Sequence, residues 1–189
     1  VAILPIVVSG DPVLHTPAAP VGEITDELRT LVADMVETMD AAPGVGLAAP
    51  QVGVGLRLFT YAYVDDSDRP WRGVVINPEL WMTPPAPGEP DEEEEAEGCL
   101  SFPGERFPLR RSDHVVVTGT DLEGADVRLE VTGWRARILQ HEFDHLDGVL
   151  YTDRLTRKER QICQKISKKR GWGVPGVSWT PGVDEVGEG

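Results

Sequence analysis

Five consecutive residues, His141-Glu142-Phe143-Asp144-His145, carry the sharpest chemical signal in the chain. On an α-helix residues i and i+4 share a face, so both imidazoles can address one metal ion. Glu142 stands beside the first of them, where a carboxylate can act as general base toward a water activated at that ion. An amphipathic helix with two half-buried histidines would give the same letters, yet half of the chain's four histidines fall in this one pattern. A metal site needs at least three protein ligands. No further His follows His145, and Cys163 fits the apolar stripe of a basic helix, which is the place of a core residue. Upstream stands Glu97-Gly98-Cys99-Leu100-Ser101. Gly98 lets backbone come close to a metal or substrate, and a thiolate suits zinc or iron. A small buried hydrophobe is the other fate open to Cys99. The segment Gly44-Val45-Gly46-Leu47-Ala48-Ala49-Pro50-Gln51 matches the dinucleotide fingerprint GxGxxA in letters only. It follows a helical pattern and leads into a strand, the reverse of the required order, and Pro50 interrupts it. What remains is a small-residue segment that either approaches a ligand or packs tightly beneath a sheet, ending in the amide of Gln51.

The elements that must position these residues are readable from periodicity and caps. Ile24, Leu28, Leu31, Val32, Met35 and Met39 recur at helical spacing, with Thr25 as cap and Asp26 and Glu27 in the first turn. LRLFTYAYV reads as a strand, and RGVVINP as a second strand stopped by Pro78. Residues 83–98 are Pro-rich and then acidic, which predicts an exposed loop whose run Asp91 to Glu95 and Glu97 stays solvated or repels anions. HVVVTGT and DVRLEVTG predict a hairpin around Glu123-Gly124. WRARILQHEFDHLDG predicts a helix closed by Gly148, and a second helix is expected from about Thr156 to Arg170. Residues 1–170 are expected to form one catalytic domain, and 171–189 an irregular Gly/Pro-rich tail. Trp172 and Trp179 imply that the tail packs on something, because exposed tryptophans are unusual. Helices with short, locally pairing strands between them predict an α+β fold.

The chain has 189 residues, with 18 Lys+Arg against 32 Asp+Glu and a formal charge of −14. Such a chain is repelled by phosphate backbones and anionic lipid, which excludes a general nucleic-acid or membrane-surface binder. The charge is uneven. From Arg154 to Arg170 there are eight basic residues and one acidic, a segment of +7 that leaves −21 for the rest. It reads as a solvated helix face or as one local contact to RNA. No apolar run approaches the roughly 18 residues of a membrane helix. The N-terminal VAILPIVVSGDPVL does not read as a signal peptide. Two cysteines cannot build a disulfide scaffold, and a cytoplasmic location is expected.

GVGLAAPQ, EGCLS and QHEFDH together resemble the three signature motifs of the bacterial peptide deformylase family, in order and spacing. The likeness runs from GDPVLHTPA near the N-terminus to DGVLYTDRL, nearly all of the chain before the tail. It implies antiparallel β-sheets packed around a central helix that carries the HExxH motif. It also implies a metal-dependent hydrolase that removes the formyl group from N-formyl-methionyl nascent peptides and releases formate. By the same resemblance Cys99, His141 and His145 hold one divalent cation. Ligand type alone suits Zn²⁺ and Fe²⁺ alike; the resemblance implies Fe²⁺ as the physiological ion, with Zn²⁺ or Ni²⁺ as occupants of purified protein. Glu142 is implied as the proton carrier, and the Gln51 side-chain amide and the Leu100 backbone N–H as donors to the oxyanion. Gly46 falls where backbone pairs with an extended substrate, Arg111 where an Arg contacts the substrate main chain, and Val45 and Ile138 where the methionine pocket lies. Arg137 stands where many relatives have an apolar residue, and its aliphatic stem can pack there. His15 and His114 lie outside the motifs and read as surface or turn residues. In some members a C-terminal helix docks on the ribosome, which gives the basic segment 154–170 a candidate partner. Two other functions compete: a general HExxH zinc peptidase, and an inactive ribosome-associated metal-binding module. The first normally takes its third ligand downstream, and the second has no need of Glu142.

Overall fold

The computed structural model describes residues 1–185. The first helix, α1 (Asp26–Ala41), begins where Thr25 accepts a hydrogen bond from the Leu28 N–H, and it buries Leu28, Val32, Met35 and Met39 along one stripe. Strands β2 (Gly46–Ala48), β3 (Leu58–Val64), β4 (Pro70–Met82), β7 (His114–Thr120) and β8 (Asp126–Thr132) form an antiparallel sheet in the order β2-β3-β4-β7-β8. The hairpin β7–β8 turns through 121–125 around Gly124, as its alternating pattern predicts.

β4 does not stop at Pro78. Asn77 adopts φ 50°, the register slips between Ile76 and Glu79, and the strand continues to Met82 against β7. A bulge absorbs a proline because the residue left unpaired needs no ladder N–H. The Asn77 amide stabilises this turn by donating to the Val21 carbonyl and accepting from the Val21 N–H.

The segment 83–98 is an exposed loop only in part, since its end forms β5 (Ala96–Cys99), paired with β6 (Phe102–Pro108). Helix α2 (Gly133–Leu146) packs across the main sheet and is buried on nearly all sides, including Ala136, Ile138, Leu139, His141, Glu142, His145 and Leu146. Its C-cap is Asp147, and Gly148 follows with a φ of 75° that suits glycine. The fold is α+β, with antiparallel sheets around a central helix. Helix α3 (Arg157–Arg170) is capped by the reciprocal Thr156 and Glu159 bonds and buries only Cys163.

The tail contains regular structure that composition did not predict. Strand β9 (Ser178–Trp179) pairs antiparallel with β1 (Ile6–Val7), Ile6 opposite Trp179. Trp172 packs edge-on against Phe102, with ring centroids 5.1 Å apart. The last four residues of the expected tail lie outside the described residues. Among the described residues no helix is long and apolar enough to cross a membrane.

Candidate metal centre

α2 delivers His141 and His145 one turn apart, on the face turned toward β5. Their Nε2 atoms lie 3.2 Å from each other, and His145 Nε2 lies 3.4 Å from Cys99 Sγ. All three donor atoms fall within 4.8 Å of one another. Around a tetrahedral ion with bonds of about 2.0–2.1 Å to nitrogen and about 2.3 Å to sulfur, the edges between such donors are about 3.3–3.6 Å. The cradle therefore has the size of one cation and a borderline-soft donor set that suits it.

Glu97 supports the cradle. In a strand, residues two apart share a face, so Glu97 points to the side of Cys99. Its Oε2 lies 2.7 Å from His141 Nδ1, which fixes the ring with Nε2 turned to the centre. Although burial pushes the Glu97 carboxyl up, the His141 hydrogen bond and the Arg111 guanidinium hold it well below the usual carboxylate range. Arg137 adds a further bond to Glu97 Oε1 at 3.1 Å. Nothing in the acidic run set this residue apart as buried. The expectation that Glu97 stays solvated with that run is corrected by its burial, and its separation of two from Cys99 is the signal that could have found it.

Gln51 is buried, with Oε1 accepting from the Ala48 N–H at 2.9 Å. That bond sets the amide orientation, so Nε2 faces Ser101 Oγ at 3.2 Å and Cys99 Sγ at 3.7 Å. Glu142 is also buried, and its Oε2 has no hydrogen-bond partner among the described residues. Burial pushes its carboxyl up to about 7, which suits a group that takes and returns a proton near neutrality. Gly46 makes room for it, because a Cβ there would lie 2.5 Å from Glu142 Oε1.

These groups open on a cavity of about 940 Å³ lined by Val45, Gly46, Gln51, Cys99, Leu100, Ile138, His141 and Glu142, with Arg106, Trp134, Arg137 and Trp179 as further walls. Every residue expected at the site except Arg111 takes part, either in the cradle or along this wall. Arg111 is buried elsewhere: Nε and Nη2 bond Glu97 at 3.0 and 2.7 Å, and Nη1 bonds Asp144 at 2.7 Å. Arg106, opposite Gly98 in the β5–β6 pairing, faces the cavity in its place. Arg111 follows the end of β6 at Pro108, so it has no place in that pairing. The Arg137 stem borders the cavity, while its head group bonds the Leu109 carbonyl at 2.7 Å and lies over the Trp134 ring. His15 accepts a bond from the Gly10 N–H, and His114 pairs with Glu130, both away from the cavity.

Known proteins resemble this chain along most of its length. A peptide deformylase of Rhodococcus opacus is 51% identical over 188 residues, covering 97% of this chain and 96% of its own. The crystal structure of a peptide deformylase from Legionella pneumophila superposes with a TM-score of 0.76 at 37% identity, covering 90% of this chain and 96% of that one. A Met-Ala-Ser-bound class I type b peptide deformylase from Acinetobacter baumannii does so with a TM-score of 0.71 at 33% identity, covering 82% and 99%. The polypeptide deformylase family model matches residues 3–161, a span that holds the cradle, Gln51 and Glu142 alike, and the chain belongs to that family.

Proposed function

We propose that the cleft is where this member of the family removes the N-formyl group from newly made polypeptides, with Cys99, His141 and His145 holding its single metal ion. The observation that carries the assignment is the triad of donor atoms within 4.8 Å beside the Glu142 carboxylate, whose Oε2 has no hydrogen-bond partner among the described residues. Such an ion supplies Lewis acidity toward a carbonyl and a lowered pKa for water. The remaining work belongs to the chain. β2 lies at the edge of the main sheet, so the Gly46 backbone can pair with an extended formyl-methionyl peptide as an added strand. Val45, Ile138 and the Arg137 stem receive the methionine side chain, and Arg106 faces the peptide main chain. Glu142 takes the proton of the attacking water and passes it to the departing nitrogen as the formyl C–N bond breaks. Gln51 Nε2 and the Leu100 N–H donate to the oxyanion. Formate and a free N-terminal amine leave. The Met-Ala-Ser tripeptide bound by the Acinetobacter relative has the form of such a product.

Fe²⁺ is the proposed physiological ion, and the cytoplasm, where nascent chains carry the formyl group, is the proposed location. The basic face of α3 is proposed to touch ribosomal RNA. Asp144 and Glu105 engage Arg154 and Arg170, which leaves Arg157, Lys158, Arg160, Lys165, Lys168 and Lys169 exposed to solvent. Co-sedimentation with ribosomes should weaken with salt and vanish on reversal of Lys165, Lys168 and Lys169 to Glu. Binding that survives the reversal would exclude this face.

The deciding experiment is formate release from formyl-Met-Ala-Ser by anaerobically iron-loaded protein, beside Glu142→Ala and an unformylated, internally cleavable peptide. The wild type should release formate and spare the second peptide. The variant should keep its metal while turnover falls roughly 10²–10⁴-fold, the scale of general-base catalysis. Cleavage of the second peptide without formate would identify a general peptidase. Neither activity would leave an inactive module.

A further inference from the structure

We propose that Trp179, brought from the far end of the chain, is a positioning residue of the metal centre: its indole N–H acts through the Leu100–Ser101 peptide to set the donor strength of Cys99. The inference rests on the reading of Cys99, His141 and His145 as the ligand set.

Trp179 Nε1 donates to the Leu100 carbonyl at 2.8 Å. The other end of that same peptide unit is the Ser101 N–H, which points at Cys99 Sγ at 3.4 Å. An amide whose carbonyl accepts a hydrogen bond is polarised and becomes a stronger donor through its N–H, so the two bonds reinforce each other. A hydrogen bond to a ligating sulfur draws electron density from it and tunes the metal it binds. Leu100 also supplies a proposed oxyanion donor, so fixing its carbonyl restricts the orientation of the residue that carries the N–H.

The indole is held by structure that also holds the loop it serves. β1 pairs with β9, and beyond it the Val8 N–H bonds the Val177 carbonyl and the Gly173 N–H bonds the Ser9 carbonyl, each at 3.0 Å. The Ser9 N–H then bonds the Ser101 carbonyl at 2.8 Å. Two successive carbonyls after Cys99 are thus taken, one by the tail and one by the segment that follows β1. An indole N–H taken out of water needs a partner, and here the partner is the carbonyl of the residue that follows a ligand.

The test uses Co²⁺-loaded full-length protein, in which a cysteine ligand gives a thiolate-to-cobalt charge-transfer band. Trp179→Phe keeps an aromatic ring without the N–H, and benzothienylalanine at position 179 keeps nearly the whole shape with sulfur in its place. Both should move the band to longer wavelength, because a thiolate relieved of hydrogen bonding gives up electron density more readily. Loss of an outer-shell partner should lower kcat on formyl-Met-Ala-Ser roughly tenfold, with KM changed by less than about twofold. A purely packing role would let benzothienylalanine restore the wild-type band and kcat, and that result overturns the proposal. A wild-type spectrum without a thiolate band overturns the ligand assignment itself, and the proposal with it.

Discussion

A methyl group at position 46 would lie 2.5 Å from Glu142 Oε1, and Glu142 is enclosed on its other sides by α2 and the cleft wall. Gly46→Ala must therefore push the carboxylate off its line to the substrate, while the cradle atoms on Cys99, His141 and His145 stay untouched. A displacement of about 1 Å in a catalytic group costs on the order of a hundredfold in rate. Gly46→Ala is expected to bind one metal ion per chain, as the wild type does, and to lose kcat on that scale. Metal analysis beside steady-state kinetics checks both halves, and a variant that keeps full kcat would show that Glu142 tolerates movement. At this scale much of the site was legible, because spacing along a helix and the chemistry of Cys, His and Glu are local properties. Arg111 was not, since Arg106 lies on β6 opposite Gly98 while Arg111 lies past the strand's end, bonded to Glu97 and Asp144, and no local pattern records those distant partners.

At the scale of elements, the β5–β6 hairpin and α2 are locked together by an ion network rather than by apolar packing alone. Arg111 joins Glu97 on β5 to Asp144 on α2, and Arg154 joins Asp144 to the chain beyond. These groups other than Arg154 are almost wholly buried, where removal of one partner leaves charge without compensation. Arg111→Met is expected to cost about 3 kcal/mol of stability, the lower end for a broken buried pair. In urea this appears as a lower midpoint at unchanged slope. Arg106→Met should do the opposite, raising KM with little change in midpoint. If Arg111→Met raised KM at unchanged stability, its side chain would belong to the substrate after all. Helices were the legible elements: Thr25 and Thr156 cap α1 and α3, and Gly148 and Gly171 follow α2 and α3. The continuation of β4 past Pro78 was not legible. It depends on Asn77 bonding Val21, 56 residues away, and a proline read locally means only that one N–H is missing.

For the molecule as a whole, the tail was the least legible part, because a two-residue strand has no periodicity and its partner β1 lies at the opposite end of the chain. Composition correctly raised the question of what two tryptophans pack against, and the answer brings β1 and β9 beside the candidate metal centre. Trp172 covers Phe102, which is 1% exposed, and Trp179 covers Ile6, which is fully buried. Ending the chain at Gly171 uncovers both. Two partly buried aromatic side chains contribute about 2–4 kcal/mol in apolar burial. For a chain of this size each kcal/mol corresponds to about 2–4 °C, so Tm should fall by about 4–16 °C. Calorimetry of the truncated chain checks this. The size of the fall also separates two architectures. A tail that is merely appended would leave Tm where it was, and residues 1–170 would then stand as a complete catalytic domain. A fall within the expected range means that β9 completes the packing around the core cluster that contains Ile6, so the domain boundary expected after residue 170 cuts through a packed unit. In that case the truncated chain should also hold its metal less tightly, because the Leu100–Ser101 peptide beside Cys99 loses the indole bond while the ligands themselves remain.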